Sequence, residues 1–189
     1  RNWNTAVRID PTDASRMYYG TNRVYRSTNG TTWGAVSPDL THGVNGGQQG
    51  QVYGTLTTLA ISPLDGAVLW AGSDDGRVHM STNSGTAWTD VSSLLPDRWI
   101  TSVRTDPLDR ETAYVTISGF RWGSPLPHVF RTTNLGLSWL AIASNLPEAP
   151  ANDLIADPLD TNRLWVATDV GVYESQDGGG NWHALGGNL

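Results

Sequence analysis

The chain has 189 residues, with twelve basic and eighteen acidic side chains, a formal net charge of −6 and no cysteine. Every basic residue is Arg, and no basic stripe forms of the kind that phosphate backbones or anionic lipid surfaces need, so nucleic acid and membrane partners are not expected. The missing thiols exclude disulfides, thiol catalysis and Cys-ligated zinc, and no apolar run reaches the roughly 18 residues of a membrane-spanning helix.

Taken in chain order, a first β-rich run, Val7-Arg8-Ile9, stops at the turn Asp10-Pro11-Thr12-Asp13. A second run carries Tyr18, and a third leads into Ser27-Thr28-Asn29-Gly30-Thr31-Thr32-Trp33. The series then returns as Ser62-Pro63-Leu64-Asp65, Trp70 and Ser81-Thr82-Asn83-Ser84-Gly85-Thr86-Ala87-Trp88. It returns again as Asp106-Pro107-Leu108-Asp109, Tyr114 and the stretch from Thr132 through Asn134 and Gly136 to Trp139. The last copy is Asp157-Pro158-Leu159-Asp160, Trp165 and the stretch from Ser175 through Asp177 and Gly179 to Trp182. Units of about 40 to 50 residues, each with four short strands between Gly, Pro, Asn and Asp turns, read as propeller blades. The expected fold is all-β: a β-propeller of four-stranded antiparallel blades, near 1–40, 50–95, 98–145 and 150–187. These blades form one domain or a segment of a larger propeller.

The recurring phrase S/T-x-D/N-x-G-x-x-W resembles the Asp-box, or bacterial neuraminidase repeat. That repeat occurs in sialidases, xyloglucan-cleaving double propellers, sortilin-like receptors and photosystem assembly factors. The resemblance spans essentially the whole chain, although the first copy is one residue short between Asn29 and Trp33. It implies a secreted protein, extracellular or periplasmic and bacterial in type, and it does not select among those functions. The chain begins without Met or a signal peptide, which reads as a processed form or an excised segment.

Turn chemistry accounts for the repeat residues. Asn29, Asn83, Asn134 and Asp177 can accept from backbone amides of their own turn, and Gly30, Gly85, Gly136 and Gly179 supply the positive φ of a tight hairpin. Trp33, Trp88, Trp139 and Trp182 can pack beneath the turn with an N–H left to find an acceptor. Ser27, Ser81, Thr132 and Ser175 open each phrase.

In an antiparallel blade the Asp-Pro turns and the Asn/Asp-Gly turns must emerge on one face. The opposite face carries Asp74-Asp75-Gly76, Asp169-Val170-Gly171 and the longer segment from Gly119 to His128, including Arg121 and Trp122. It also carries the inter-blade links, one running from Ser37 to Thr55 through His42, Asn45, Gln48 and Gln49, another containing Asp97, Arg98 and Trp99, and a third with Glu148 and Asn152. Long loops with aromatics and Arg tend to carry function. Trp99 and Trp122 are candidates to stack on a ligand, with Arg98, Arg121 and His128 beside them; the alternative is that both rings fold back as apolar cover.

A glycosidase needs two carboxyl groups about 5 to 9.5 Å apart. Asp74 or Asp75 with Asp169 are the candidates, and Thr168-Asp169-Val170-Gly171 resembles the T-D-I-G context of a catalytic Asp in xyloglucan-cleaving relatives. The same stretch is also a sufficient hairpin turn. No sialidase site carries over: Val7-Arg8-Ile9-Asp10-Pro11 lacks the aromatic of that family's motif, and Arg104 repeats the position of Arg8. Neither a metal site nor a cofactor is expected. The reading that results is a module recognising glycan or protein, with a glycoside hydrolase, or part of one, as the alternative; another propeller half or a second copy are the expected assembly partners.

Overall fold

The computed structural model describes residues 5–44 and 53–186. Asn45, Gln48 and Gln49 lie outside the described residues. Among the described residues sixteen strands form four separate sheets, each antiparallel, four-stranded and ordered as in the sequence. The first holds β1 (Val7–Asp10), β2 (Asp13–Gly20), β3 (Val24–Ser27) and β4 (Gly34–Ala35), and the second β5 (Leu56–Ile61), β6 (Leu69–Ser73), β7 (Val78–Ser81) and β8 (Thr89–Asp90). The third holds β9 (Trp99–Thr105), β10 (Ala113–Ser118), β11 (His128–Thr132) and β12 (Leu140–Ala141), and the fourth β13 (Ala151–Ala156), β14 (Leu164–Thr168), β15 (Gly171–Ser175) and β16 (His183–Ala184). First strands stand side by side, β1 against β5, β5 against β9 and β9 against β13. The sheets are therefore four consecutive blades, as the repeat predicts.

The core lies between blades rather than within one. Tyr18, Val24 and Leu40 of blade one meet Leu56, Leu59 and Ala71 of blade two. Trp70 and Val78 of blade two meet Ile100, Val103 and Val115 of blade three, and Tyr114 and Val129 of blade three meet Leu154 and Val166 of blade four. A strand with one face toward each neighbour is buried on both, as the near-continuous burial of Leu56–Ile61 shows.

The four hairpin turns share one hydrogen-bond pattern. Asn83 Oδ1 accepts from Ala87 N at 2.8 Å, Asn134 Oδ1 from Ser138 N at 2.9 Å and Asp177 Oδ1 from Asn181 N at 2.8 Å. Ser81, Thr132 and Ser175 each accept from the turn glycine, Gly85, Gly136 or Gly179, at 2.9 to 3.0 Å. In the short first copy Thr32 N donates to Asn29 Oδ1 and Gly30 N to Ser27 Oγ. Ser84, Leu135 and Gly178 amides donate to Ala67, Glu111 and Asn162 carbonyls of the Asp-Pro turns, which puts both sets of turns on one face.

Three of the indole N–H groups reach the preceding blade. Trp88 donates to Val36 O at 3.0 Å and is shared with Gly85 O of its own turn at 3.0 Å, while Trp139 donates to Val91 O at 3.0 Å and Trp182 to Ile142 O at 2.7 Å. The repeat Trp is thus an inter-blade staple.

Asp177 is the one acidic residue among four otherwise Asn positions, and this makes its turn pH-sensitive. Donors from Asn181 and the Ser175 hydroxyl hold its carboxyl down to about 2, from an ordinary 3.8. A lowered pKa contributes stability above the unfolded value that is lost as pH falls through the folded one. Asp177→Asn is therefore expected to leave the melting temperature at pH 7 nearly unchanged and to flatten its decline between about pH 4 and pH 2. Melting curves of both proteins across that range, with equal acid limbs, would reject the assignment.

Candidate functional site

On the face opposite the turns, a cleft of about 320 Å³ lies between blades three and four, lined by Trp99, Thr101, Ser118, Phe120, Arg121, Trp122, Asn152 and Asp169. Each element delivers its residue for a local reason. Trp99 opens β9. The loop between β10 and β11 coils into a 3-10 turn over Phe120–Trp122, closed by Gly123 at φ +75°. That turn lifts Phe120 until 70% of it is exposed. Thr101 is spent on structure, donating to Ala151 O of blade four at 2.8 Å. Asn152 follows on β13, and its amide donates to Asp169 Oδ1 at 2.7 Å.

The Trp and Arg side chains interlock. The Arg121 guanidinium sits 4.3 Å from the centroid of the Trp99 ring, and Arg98 sits 5.5 Å from that of Trp122. Each pair joins the inter-blade link to the loop of blade three, and a cation over an indole face is worth about 0.5 to 2 kcal/mol. Both rings are half-buried and both line the cleft, so they act as cover and as wall at once. Arg98 also donates to the Asp97 carbonyl at 2.8 Å. His128 begins β11 outside the cleft lining. Burial, then the charge of Arg98, lowers its pKa, so its imidazole is neutral at neutral pH.

Asp74 and Asp75 are placed elsewhere. Both are buried in the β6–β7 turn. Asp74 accepts from Thr55 N and Thr55 Oγ1, each at 2.7 Å. Burial raises its pKa, and the adjacent Asp75 charge adds to that against the two bonds from Thr55. Asp75 accepts from His42 N at 2.8 Å and Ser73 Oγ at 2.5 Å. These carboxylates anchor the incoming link, and neither lines the cleft with Asp169. The link is held further by the His42 ring, between Arg77 Nη2 at 3.4 Å and Asp97 Oδ1 at 3.3 Å. Arg104 lies away from the cleft, its Nε donating to Asp153 Oδ1 of blade four at 2.9 Å. Among the described residues no group of three His, Cys, Asp or Glu side chains is arranged to hold a metal. No described helix is long and apolar enough to cross a membrane.

No family model matches the sequence, and no curated protein matches it. Solved structures do. The GH74 xyloglucanase from Xanthomonas campestris superimposes with a TM-score of 0.73 at 17% identity, over 98% of this chain and 30% of its own. The GH74 enzyme from Niastella koreensis gives a TM-score of 0.72 at 21% identity, over 94% and 28%. The chain has the β-propeller fold. A β-propeller domain from Myceliophteria thermophila matches as well, with a TM-score of 0.62 at 12% identity over 92% of this chain and 54% of its own. The propeller spans less than a third of the GH74 chains, and at these identities the likeness concerns the fold alone. Two cleft residues escape sequence reasoning. Ser118 and Thr101 carry no pattern of their own, and only the 3-10 turn and the packing of blade four against blade three bring them to the cleft.

Proposed function

We propose that this chain is part of a secreted Asp-box propeller that recognises a glycan through the cleft between blades three and four. The observation that carries the reading is the make-up of that cleft: Trp99, Phe120 and Trp122 with Arg121, Asn152 and one carboxylate, Asp169. A sugar ring presents apolar C–H faces and a rim of hydroxyls. Aromatic walls suit the first, and an amide, a guanidinium and a carboxylate suit the second. At about 320 Å³, the cleft is at the small end of ligand sites, which run from about 300 to 1,000 Å³. It matches one or two sugar units of a longer chain better than a folded partner.

The test is a glycan array followed by calorimetric titration of the best hit, with the wild type and a Trp99→Ala/Trp122→Ala variant. Truncating an aromatic that anchors a ligand costs about 2 kcal/mol or more, so affinity is expected to fall at least about thirtyfold. A blank array for the wild type rejects glycan recognition and leaves protein recognition standing.

A glycoside hydrolase is the second reading, favoured by the exposed Asp169 in the cleft. Hydrolysis needs a second carboxyl about 5 to 9.5 Å away, and the cleft lining holds no other acidic side chain. Binding without turnover is therefore expected. Release of reducing sugar from xyloglucan that Asp169→Asn abolishes would reverse that order.

A further inference from the structure

One repeat position on the first strands differs from blade to blade. Across the ladder from Tyr18, Trp70, Tyr114 and Trp165 stand Arg8, Ala60, Arg104 and Ile155. Because β5 lies between β1 and β9, an alanine sits between two arginines. A recess of about 340 Å³ opens there at the turn end of the three strands, walled by Arg8, Ala60, Ile61 and Arg104 and by the turn residues Pro11 and Pro63. It shares no lining residue with the aromatic cleft.

The two guanidinium groups are engaged differently. Arg104 directs Nε and Nη2 at the two carboxylate oxygens of Asp153, on the next blade. Asp153 stands opposite Ala167 on β14, and the same ladder position in blade two is Thr58, opposite Gly72. The residue placed to pair with Arg8 in that way is therefore a threonine. It is buried, and its hydroxyl accepts from Val103 N at 3.2 Å. Arg8 Nη1 donates to Val7 O at 2.9 Å, and among the described residues no carboxylate lies within 4 Å of the Arg8 guanidinium. Burial, and then the Arg104 charge, lower the pKa of Arg8, while the Asp153 charge opposes them. An anion seated between the two arginines would offset both effects. Each guanidinium carries more N–H donors than these bonds use, and its planar fork matches a carboxylate.

We propose that this recess binds a small organic carboxylate, its oxygens held by Arg8 and Arg104 and its apolar body by Ile61, Pro11 and Pro63. The charges select the anion. With Arg104 matched by Asp153, one positive charge is left over at Arg8, which suits a single carboxylate. The walls select the body. Apart from the arginines, the polar side chain in the lining is Thr105, and its hydroxyl already donates to Ile61 O at 3.3 Å. A body rich in hydroxyls would lose water there and gain few partners, whereas C–H groups meet aliphatic and proline surface. At about 340 Å³, the recess fits one ring or a short chain, at the small end of ligand sites of about 300 to 1,000 Å³.

Calorimetric titration of the whole chain with benzoate and with hexanoate tests this. Each acid is expected to saturate at one molecule per chain. Benzamide keeps the ring without the charge; glucuronate and inorganic phosphate keep a charge without the apolar body. All three are expected to bind at least about tenfold more weakly than benzoate. Arg8→Met should weaken benzoate by at least about tenfold. Ala60→Leu fills the recess while leaving both arginines in place, and it should abolish binding. Arg23→Met, outside the recess, should bind as the wild type does. Melting curves establish that the variants fold, and Arg8→Met alone decides if Ala60→Leu does not. Failure of both acids to saturate overturns the proposal, as does benzoate binding that survives Arg8→Met. Phosphate or glucuronate binding as tightly as benzoate overturns it too, because the apolar walls would then select nothing. The glycan array reads a different cleft, so either result can fail without the other.

Discussion

Trp70→Ala is expected to lower the free energy of unfolding by about 3 to 5 kcal/mol, the range for truncating a buried aromatic. Trp70 is fully buried on β6, at the junction of blades two and three. Its ring meets Trp139 edge-on at 6.0 Å and is enclosed by Val78, Ile100, Val115 and Ile117. Removing it opens a cavity between two sheets whose backbones are each held by their own ladders, so neither can collapse far into the space. A domain is typically stable by about 5 to 15 kcal/mol, so this single change takes a third or more of the margin. Trp70→Phe separates two contributions. The Trp70 indole N–H is buried without an acceptor among the described residues, and such an orphan donor costs about 1 to 3 kcal/mol. Phe keeps most of the ring and removes the orphan, so its cost is expected to stay below about 2 kcal/mol. Urea unfolding of the three proteins decides the matter. Equal losses for Ala and Phe would mean that ring volume is not what holds the junction.

What was legible in the sequence was what is local. An Asn side chain that caps its own turn, as Asn134 does through Ser138 N, needs nothing from the rest of the chain. Four such turns at blade spacing therefore point to the blade fold and to the face on which the turns emerge. The inter-blade acceptor of each indole was not legible, because Val36 lies 52 residues before Trp88 and belongs to another blade. The roles of Asp74 and Asp75 were hidden for the same reason. Both look like exposed turn carboxylates until the link through His42 and Thr55 closes over them. At the cleft, Trp99, Arg121, Trp122 and Asp169 could be assigned to one face by strand parity. Their convergence depends on a 3-10 turn that Gly119 and Gly123 permit and that no periodicity announces.

The two faces divide the work of the fold. On the turn face the carboxylates are largely engaged within their own turns: Asp10 by the Thr12 amide and the Arg16 guanidinium, Asp106 by the Leu108 amide and the Tyr114 hydroxyl, Asp177 by the Asn181 amide. On the opposite face Asp169 has the Asn152 amide as partner and remains exposed, so lone pairs remain for another donor. Recognition is therefore expected where the loops are longest and the backbone caps fewest.

The second large effect is expected at a glycine. Gly179→Ala should cost about 2 to 4 kcal/mol, from two sources that a comparison can separate. Gly179 sits at φ +95°, in the left-handed region, where any Cβ pays about 1 to 2 kcal/mol. A Cβ there would also lie 2.7 Å from Ile142 Cβ and 3.0 Å from Ile142 Cδ1. Ile142 cannot easily yield: it is β-branched and buried, and its carbonyl receives the Trp182 N–H at 2.7 Å. Relief would push blade four away from blade three and stretch the bond that staples them. Gly123 is the control. Its φ is +75° and nothing lies within 4 Å of a built Cβ, so Gly123→Ala should cost only the conformational share of about 1 to 2 kcal/mol. Denaturant midpoints for both variants measure the difference. If Gly179→Ala costs no more than Gly123→Ala, the close approach of the turn to the preceding blade is not what demands glycine there.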